Sequence, residues 1–217
     1  MKPGHPTSEY PTAEHPTPEH PTAEHPTPEH PTPTLSIPTR GSLRTGPAAD
    51  RPELLAGPVA TALAAQPEIV AGVAAIDPTL SDTDAFCAAY DVDAAESANC
   101  VVLRGKREGV VTFAAAVVLA TTRADVNGVI RRLMNVRKIS FAPMDLAVEL
   151  TGMEYGGITP IGLPADWPVL IDAAVTAAGA VVIGSGVRAS KLVLDGASLA
   201  ALPTALVVQG LAIASPS

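Results

Sequence analysis

The segment Leu150-Thr151-Gly152-Met153-Glu154-Tyr155-Gly156-Gly157-Ile158-Thr159-Pro160-Ile161-Gly162-Leu163-Pro164 cannot continue as helix or strand, so the chain on either side must be arranged around it. Gly156 and Gly157 accept the positive φ that other residues avoid, Pro160 fixes its own φ, and Thr159 before it is pushed toward extended geometry. The spacing predicts a rigid loop that something approaches closely. One reading is that its amides are exposed and converge on an oxyanion, or on a carbonyl or phosphate oxygen. The other is a glycine-rich connection between packed elements, which has the same spacing.

The chain has 217 residues, enough for one domain with a sizeable core plus whatever does not fold. Hydrophobic residues make up 47% and aromatic ones 3%, so that core has to be built from Ala, Val and Leu. The apolar run from Gly109 to Thr122 is 14 residues, too short to span a bilayer, and the uncharged stretch from Gly196 onward is broken by Pro203, Gln209 and Gly210. No membrane span is expected. The first residues hold one lysine and no apolar run, so no secretory signal is expected and the default location is cytoplasmic. Two cysteines, Cys87 in a helical pattern and Cys100 in a strand pattern, make neither a disulfide framework nor a zinc site. Both read as small buried hydrophobes.

Residues 1–46 differ from the rest. From Glu14 to Pro33 the unit Glu-His-Pro-Thr followed by Pro or Ala recurs, and 11 of the 22 prolines precede Thr39. Such a segment has little apolar surface to offset its ordering entropy and reads as a disordered, polyproline-like tail ahead of a domain at 47–217. Evenly spaced imidazoles are able to chelate a metal weakly, but a solvated low-complexity tail needs no such role, and no metal site is assigned. All five histidines (His5, His15, His20, His25, His30) fall there. The domain therefore has no Ser-His-Asp or Cys-His arrangement, and its chemistry rests on Lys, Asp, Glu, Ser, Thr, backbone amides or the substrate.

Coarse patterning predicts helices at 52–65, 82–90 (capped by Ser81), 125–134, 143–150 and 197–202. It predicts strands at 68–76, 99–104, 109–120, 138–141, 169–172, 180–183, 191–194 and 205–211, with a hairpin turn at 105–108. Hairpins and crossovers interleaved with short helices give an α+β domain with a mixed sheet. The chain is −8 overall, yet Asn99 to Ser140 holds Arg104, Lys106, Arg107, Arg123, Arg131, Arg132, Arg137 and Lys138 against Glu108 and Asp125, locally 8 − 2 = +6. A continuous strip of this kind would bind phosphates, while side chains on different faces would merely solvate them. The strip has no aromatic platform for general single-strand binding.

Three motifs in order carry a resemblance: Thr151 to Gly162, then Trp167-Pro168-Val169-Leu170-Ile171-Asp172, then Gly184-Ser185-Gly186-Val187-Arg188. Over roughly Ile69 to Ala212 the chain resembles the YbaK/EbsC family of aminoacyl-tRNA deacylases, which includes the editing domain of bacterial prolyl-tRNA synthetases. The resemblance implies a curved, partly barrel-like mixed sheet flanked by helices. It also implies a free-standing deacylase that hydrolyses mischarged aminoacyl-tRNA in trans and needs no cofactor, with tRNA and an aminoacyl-tRNA synthetase as partners. A deacylase-like domain that binds an aminoacyl-adenosine or small ligand without catalysis is the alternative. The family's strand lysine falls at Asn99 here, and Lys191 stands where family members have an aspartate. Lys191 with Asn99 is accordingly the catalytic candidate, although a solvent-facing strand lysine fits the local pattern as well. Gly156, Gly157, Ile158, Thr159, Pro160, Gly162, Asp172, Ser185, Gly186 and Arg188 are substrate-binding candidates. Arg104, Lys106, Arg107, Arg131, Arg132, Arg137 and Lys138 are tRNA-binding candidates.

Overall fold

The computed structural model describes Met1 and residues 36–215, so the repeat and all five histidines lie outside the described residues. In chain order the elements are β1 (Gly46–Pro47), α1 (Gly57–Ala65), β2 (Ala71–Ala75), α2 (Thr83–Tyr90), β3 (Ala98–Arg107), β4 (Val110–Leu119) and β5 (Thr122–Ala124). A π-turn at Val126–Ile130 leads into α3 (Arg131–Leu133), followed by β6 (Lys138–Phe141), α4 (Met144–Thr151), β7 (Val169–Asp172), α5 (Ala173–Ala177), β8 (Ala180–Gly184), β9 (Ser190–Asp195), β10 (Ala205–Val208) and β11 (Ala212–Ala214).

The fold is α+β, and its described strands form two main sheets and a small ribbon that do not close into a barrel. One sheet is antiparallel, β1-β2-β9-β8; the other is mixed, β10-β7-β4-β3-β6, with β7 parallel to both β4 and β10; β11 pairs with β5. Alternation along the strands separates the faces. Val73, Val181, Ile183, Leu192 and Leu194 meet Val117, Val169 and Ile171 between the sheets. On the outer side of the antiparallel sheet, Ala74, Val182 and Val193 pack with Phe86, Val92 and Leu43. On the outer side of the mixed sheet, Leu103, Ala116, Val118 and Leu170 pack with Ile130 and Leu211. The central strand β4 is covered on both faces, and Ala114, Ala115 and Ala116 at its middle have no exposed surface. Their small size lets both layers close on it, as the aromatic-poor composition requires.

Several element boundaries shift from the sequence reading. Strand β3 runs on through Gly105, and the reversal is at Glu108-Gly109, both with positive φ as a two-residue hairpin demands. Asp82, not Ser81, is the N-cap residue of α2. The strand expected at 205–211 stops at Val208 as β10, and β11 begins beyond it at Ala212, after a turn at Gly210, whose φ is positive. Helix α5 has no strong apolar period and was not legible. It starts because Asp172 Oδ1 accepts the Ala174 N–H at 2.8 Å.

The boundary at residue 46 also moves. Ser42 N–H donates to the Tyr90 carbonyl at 2.8 Å, Thr39 Oγ1 donates to the Leu43 carbonyl at 3.0 Å, and Leu43 is buried. Residues 37–46 are therefore part of the fold, with Ile37 and Pro38 lying close over Gly72 of β2. A chain starting at residue 47 should melt at least ~4 °C below one starting at residue 36, because burial of Leu43 alone is worth about 2 kcal/mol. Equal melting temperatures in a calorimetric comparison would remove this role for residues 37–46.

Candidate functional site

Strand β6 pairs only with Leu103 to Lys106, which leaves the first half of β3 with an open edge. Facing that edge is the antiparallel sheet, joined to it by the bridge between Ser97 and Val182. The gap between them is a cavity of about 560 Å³. Its walls are Asn99 to Val102 of β3, the Ser81-Asp82-Thr83 start of α2, Val182 to Gly184 of β8, Lys191 of β9, Met144 and Ala147 of α4, and Tyr155, Gly156 and Ile158 of the glycine-rich loop. Phe141 and Ala142 complete the lining.

Lys191 shares the outer face of its sheet with Val193, opposite Leu192 and Leu194, and its side chain turns under the start of α2. Its Nζ donates to the Ser81 carbonyl at 3.1 Å and sits 5.2 Å from the Phe86 ring centroid. Burial pushes the ammonium's pKa below the usual lysine range; Arg188 adds to this, while Cys87 and Asp82 oppose it. Asn99 Oδ1 accepts from Thr83 Oγ1 at 2.8 Å, so the side-chain amide is held against the opposite wall. Ser81 Oγ is buried without a hydrogen-bond partner. Cys100 also lines the cavity, and desolvation pushes its thiol up to about 12, far from a neutral-pH nucleophile. Both cysteines are half-buried, less enclosed than their patterns suggest.

The glycine-rich loop is built differently from the first expectation. Only Gly156 of the pair has positive φ (84°). Gly157 is required by close approach: a Cβ there would lie 2.6 Å from the carbonyl carbon and oxygen of Val187, and one on Gly184 would lie 2.3 Å from the Gly157 carbonyl oxygen. Gly186 N–H donates to the Gly157 carbonyl at 2.7 Å, and Glu154 N–H donates to the Gly186 carbonyl at 2.8 Å. Gly157, Gly184 and Gly186 thus serve to dock two loops backbone to backbone. Gly156 and Ile158 remain at the cavity wall, and their N–H groups donate to no other described residue.

Of the other binding candidates, Thr159 and Pro160 are buried and Gly162 backs onto Pro58 of α1, all outside the cavity lining. Asp172 uses both oxygens structurally, accepting from Ala174 and, at 2.8 Å, from Ala212. The Ser185 and Ser190 hydroxyls are hydrogen-bonded at 2.7 Å, and Ser190 Oγ donates to the Leu54 carbonyl. Arg188 ties the loops together: Nη1 donates to the Tyr155 carbonyl at 3.1 Å, Nη2 to the Pro78 carbonyl at 3.3 Å, and its N–H to Glu154 Oε2 at 2.7 Å. The residues that sequence reasoning missed are the start of α2 and the rim formed by Phe141, Met144 and Tyr155. Ser81 was visible only as a capping signal.

The basic strip divides. Strand alternation and the register Arg104 opposite Ser140, Lys106 opposite Lys138, put Arg104, Lys106 and Lys138 on one face of the mixed sheet. The π-turn and α3 cover the other face, where Ile130 and Met134 pack on Leu103 and Ile139. Arg131 and Arg132 are exposed on that second side, and Arg107 is tied there to the Asn135 carbonyl at 3.2 Å. Arg137 is exposed between the two groups, at the entry to β6. A second hollow of about 590 Å³ adjoins the cavity and shares Asn99, Val101 and Phe141 with it; Arg123, Asn127 and Ile213 line its far side.

The two-sheet α+β fold has solved counterparts. A candidate trans-editing enzyme for prolyl tRNA synthetase superposes with a TM-score of 0.60 at 21% identity, over 71% of this chain and 94% of its own. A hypothetical protein designated APE2540 gives 0.56 at 22% identity, over 65% of this chain and 90% of its own. These likenesses establish the shared fold. The aminoacyl-tRNA editing domain model matches residues 77–202, more than half of the sequence, and the chain belongs to that family. No curated protein matches the chain. Among the described residues no helix is long and apolar enough to cross a membrane.

Because Gly157 and Gly184 approach backbone, Gly157→Ala and Gly184→Ala should each destabilise the fold by about 1–3 kcal/mol, as overpacked sites do. Urea midpoints would show the loss at unchanged slope. An undiminished midpoint for both would return the glycines to a role at the ligand alone.

Proposed function

We propose that the chain edits aminoacyl-tRNA in trans, hydrolysing the ester that joins a small mischarged amino acid to the terminal ribose. The observation that supports this most directly is the meeting of Lys191, Asn99, Gly156 and Ile158 around one cavity in a member of the editing family. The aminoacyl group would enter among Val102, Ala142, Ala147, Ile158 and Val182, which suit a small apolar side chain. Water attacks the carbonyl carbon, and the carbonyl electron pair moves onto oxygen. Collapse breaks the bond to the ribose oxygen, which takes up the proton released by water, leaving free amino acid and tRNA.

The ester is labile, so the protein's work is placement and charge stabilisation. An ammonium has three donors, and Lys191 uses one on Ser81, leaving two for the developing oxyanion. The free amides of Gly156 and Ile158 are further donors. Binding without catalysis is the second reading, favoured by the fixing of Asn99 to Thr83 and of Lys191 to a backbone carbonyl. Hydrolysis across a panel of misacylated tRNAs separates the two.

Lys191→Ala should slow single-turnover hydrolysis about 100-fold while leaving tRNA affinity unchanged, since the lysine acts on the transition state. Equal rates would assign the chemistry elsewhere. The active form carries the proton, and burial lowers this lysine's pKa; enzyme-dependent hydrolysis should therefore fall on the alkaline side at lower pH than an ordinary lysine dictates. Lys191→Arg, if active, should move that limb upward, and a profile identical to the parent's would count against the assignment.

Phosphates of the tRNA would meet Arg131 and Arg132, which follow directly from the π-turn beside the second hollow. Replacing both with alanine should weaken tRNA binding and reduce the salt slope by about one for each phosphate no longer neutralised. The same treatment of Lys106 and Lys138, on the other face, should do less. The reverse ranking would move the tRNA to that face. The partnership with a synthetase is part of this reading and would appear as co-migration of the two proteins with tRNA.

A further inference from the structure

Six aromatic rings lie among the described residues, and four of them stack in pairs: Phe86 with Tyr90 at 5.3 Å between centroids, Phe113 with Trp167 at 5.1 Å. The two unpaired rings, Phe141 and Tyr155, are 61% and 56% exposed, and both line the cavity. In a chain so poor in aromatics, leaving two rings in water at one cleft calls for an occupant. Phe141 also borders the second hollow, so it stands where the two spaces join. That hollow combines apolar walls, Val101, Val118 and Ile213, with the polar side chains of Asn99 and Asn127 and the exposed guanidinium of Arg123, which makes no ion pair among the described residues; the Asp125 carboxylate in the same lining is taken up by the Gly128 and Val129 N–H groups. Its dimensions and chemistry match a nucleoside with an adjacent phosphate: a flat ring to stack, edge amides to meet base nitrogens, and one cation.

We propose that Phe141 is the stacking platform for the terminal base of the substrate RNA, with the base in the second hollow, Arg123 on the phosphate preceding it, and the esterified ribose passing over the open edge of β3 into the cavity. This rests on the aminoacyl-tRNA reading for the identity of the ligand, but it concerns binding of the RNA end and not hydrolysis. A single stacked base accounts for specificity toward a single-stranded 3′ end without the continuous aromatic surface that general single-strand binders use. Phe141 lies on an edge strand with most of its surface in water, so its replacement removes little from the core.

The test uses the full chain and an uncharged RNA minihelix ending in single-stranded CCA, compared with the same minihelix whose last nucleotide is abasic. Phe141→Ala should weaken binding of the intact end about tenfold, the abasic end should bind the parent protein about tenfold more weakly, and the two effects should not add, because they remove the same stack. Phe141→Tyr should restore binding, and Arg123→Ala should lower affinity for both ends together with the salt slope. Additive effects, an unchanged affinity for Phe141→Ala, or no binding of the intact end by the parent protein would overturn the platform. Binding with these properties in a protein that hydrolyses no misacylated tRNA would uphold the platform and reject the catalytic reading. Hydrolysis that is insensitive to Phe141→Ala at limiting substrate would do the opposite.

Discussion

The arrangement of the cleft depends on one contact, the backbone-to-backbone docking of the glycine-rich loop onto the turn after β8. Gly157, Gly184 and Gly186 leave no room for side chains between the two segments, and the short bond from Gly186 N–H to the Gly157 carbonyl fixes their register. Arg188 then clamps the loop at Tyr155 and the segment before α2 at Pro78. Three walls of the cavity are positioned by this knot. Gly157, Gly186 and Arg188, which the motifs offer as ligand contacts, are in their contacts the parts that hold the cavity-facing residues in place.

The second constraint is the early end of β6. A full-length partner would have covered Asn99 and Val101 and closed this edge. Because β6 stops opposite Leu103, the unpaired stretch of β3 faces the start of α2 across the cavity of about 560 Å³. The same stop puts Phe141 at the rim, where a buried strand would have turned it into core.

Much of the mixed sheet was legible, because its strands are apolar runs bounded by turn residues; Lys138–Phe141 and Val169–Asp172 match the expected limits. The division into two sheets was not, since pairing partners are set by tertiary packing and not by local pattern. Helix α5 escaped because its start depends on one cap in an alanine-rich stretch, where periodicity says nothing. At the site, the glycine motif was visible and its purpose ambiguous: close approach is required equally by a ligand and by another stretch of backbone. Lys191 stood out only against a family pattern. Ser81, Phe141 and Tyr155 carry no local signal, because their meaning comes from which distant segments they face. The charge count correctly found a basic segment, yet strand alternation and the fold of α3 distribute it over two faces, which a sum over sequence cannot see.

Lys191 reaches a carbonyl 110 positions earlier in the chain, and Arg188 bridges an equal distance. The start of α2 gains its tie to Lys191, and the segment before it the tie to Arg188, only once the chain has been made as far as β9. Contacts of such long range make a domain slow to assemble. During synthesis, then, a nascent chain that has not yet released β9 from the ribosome lacks the Lys191 tie across the cleft.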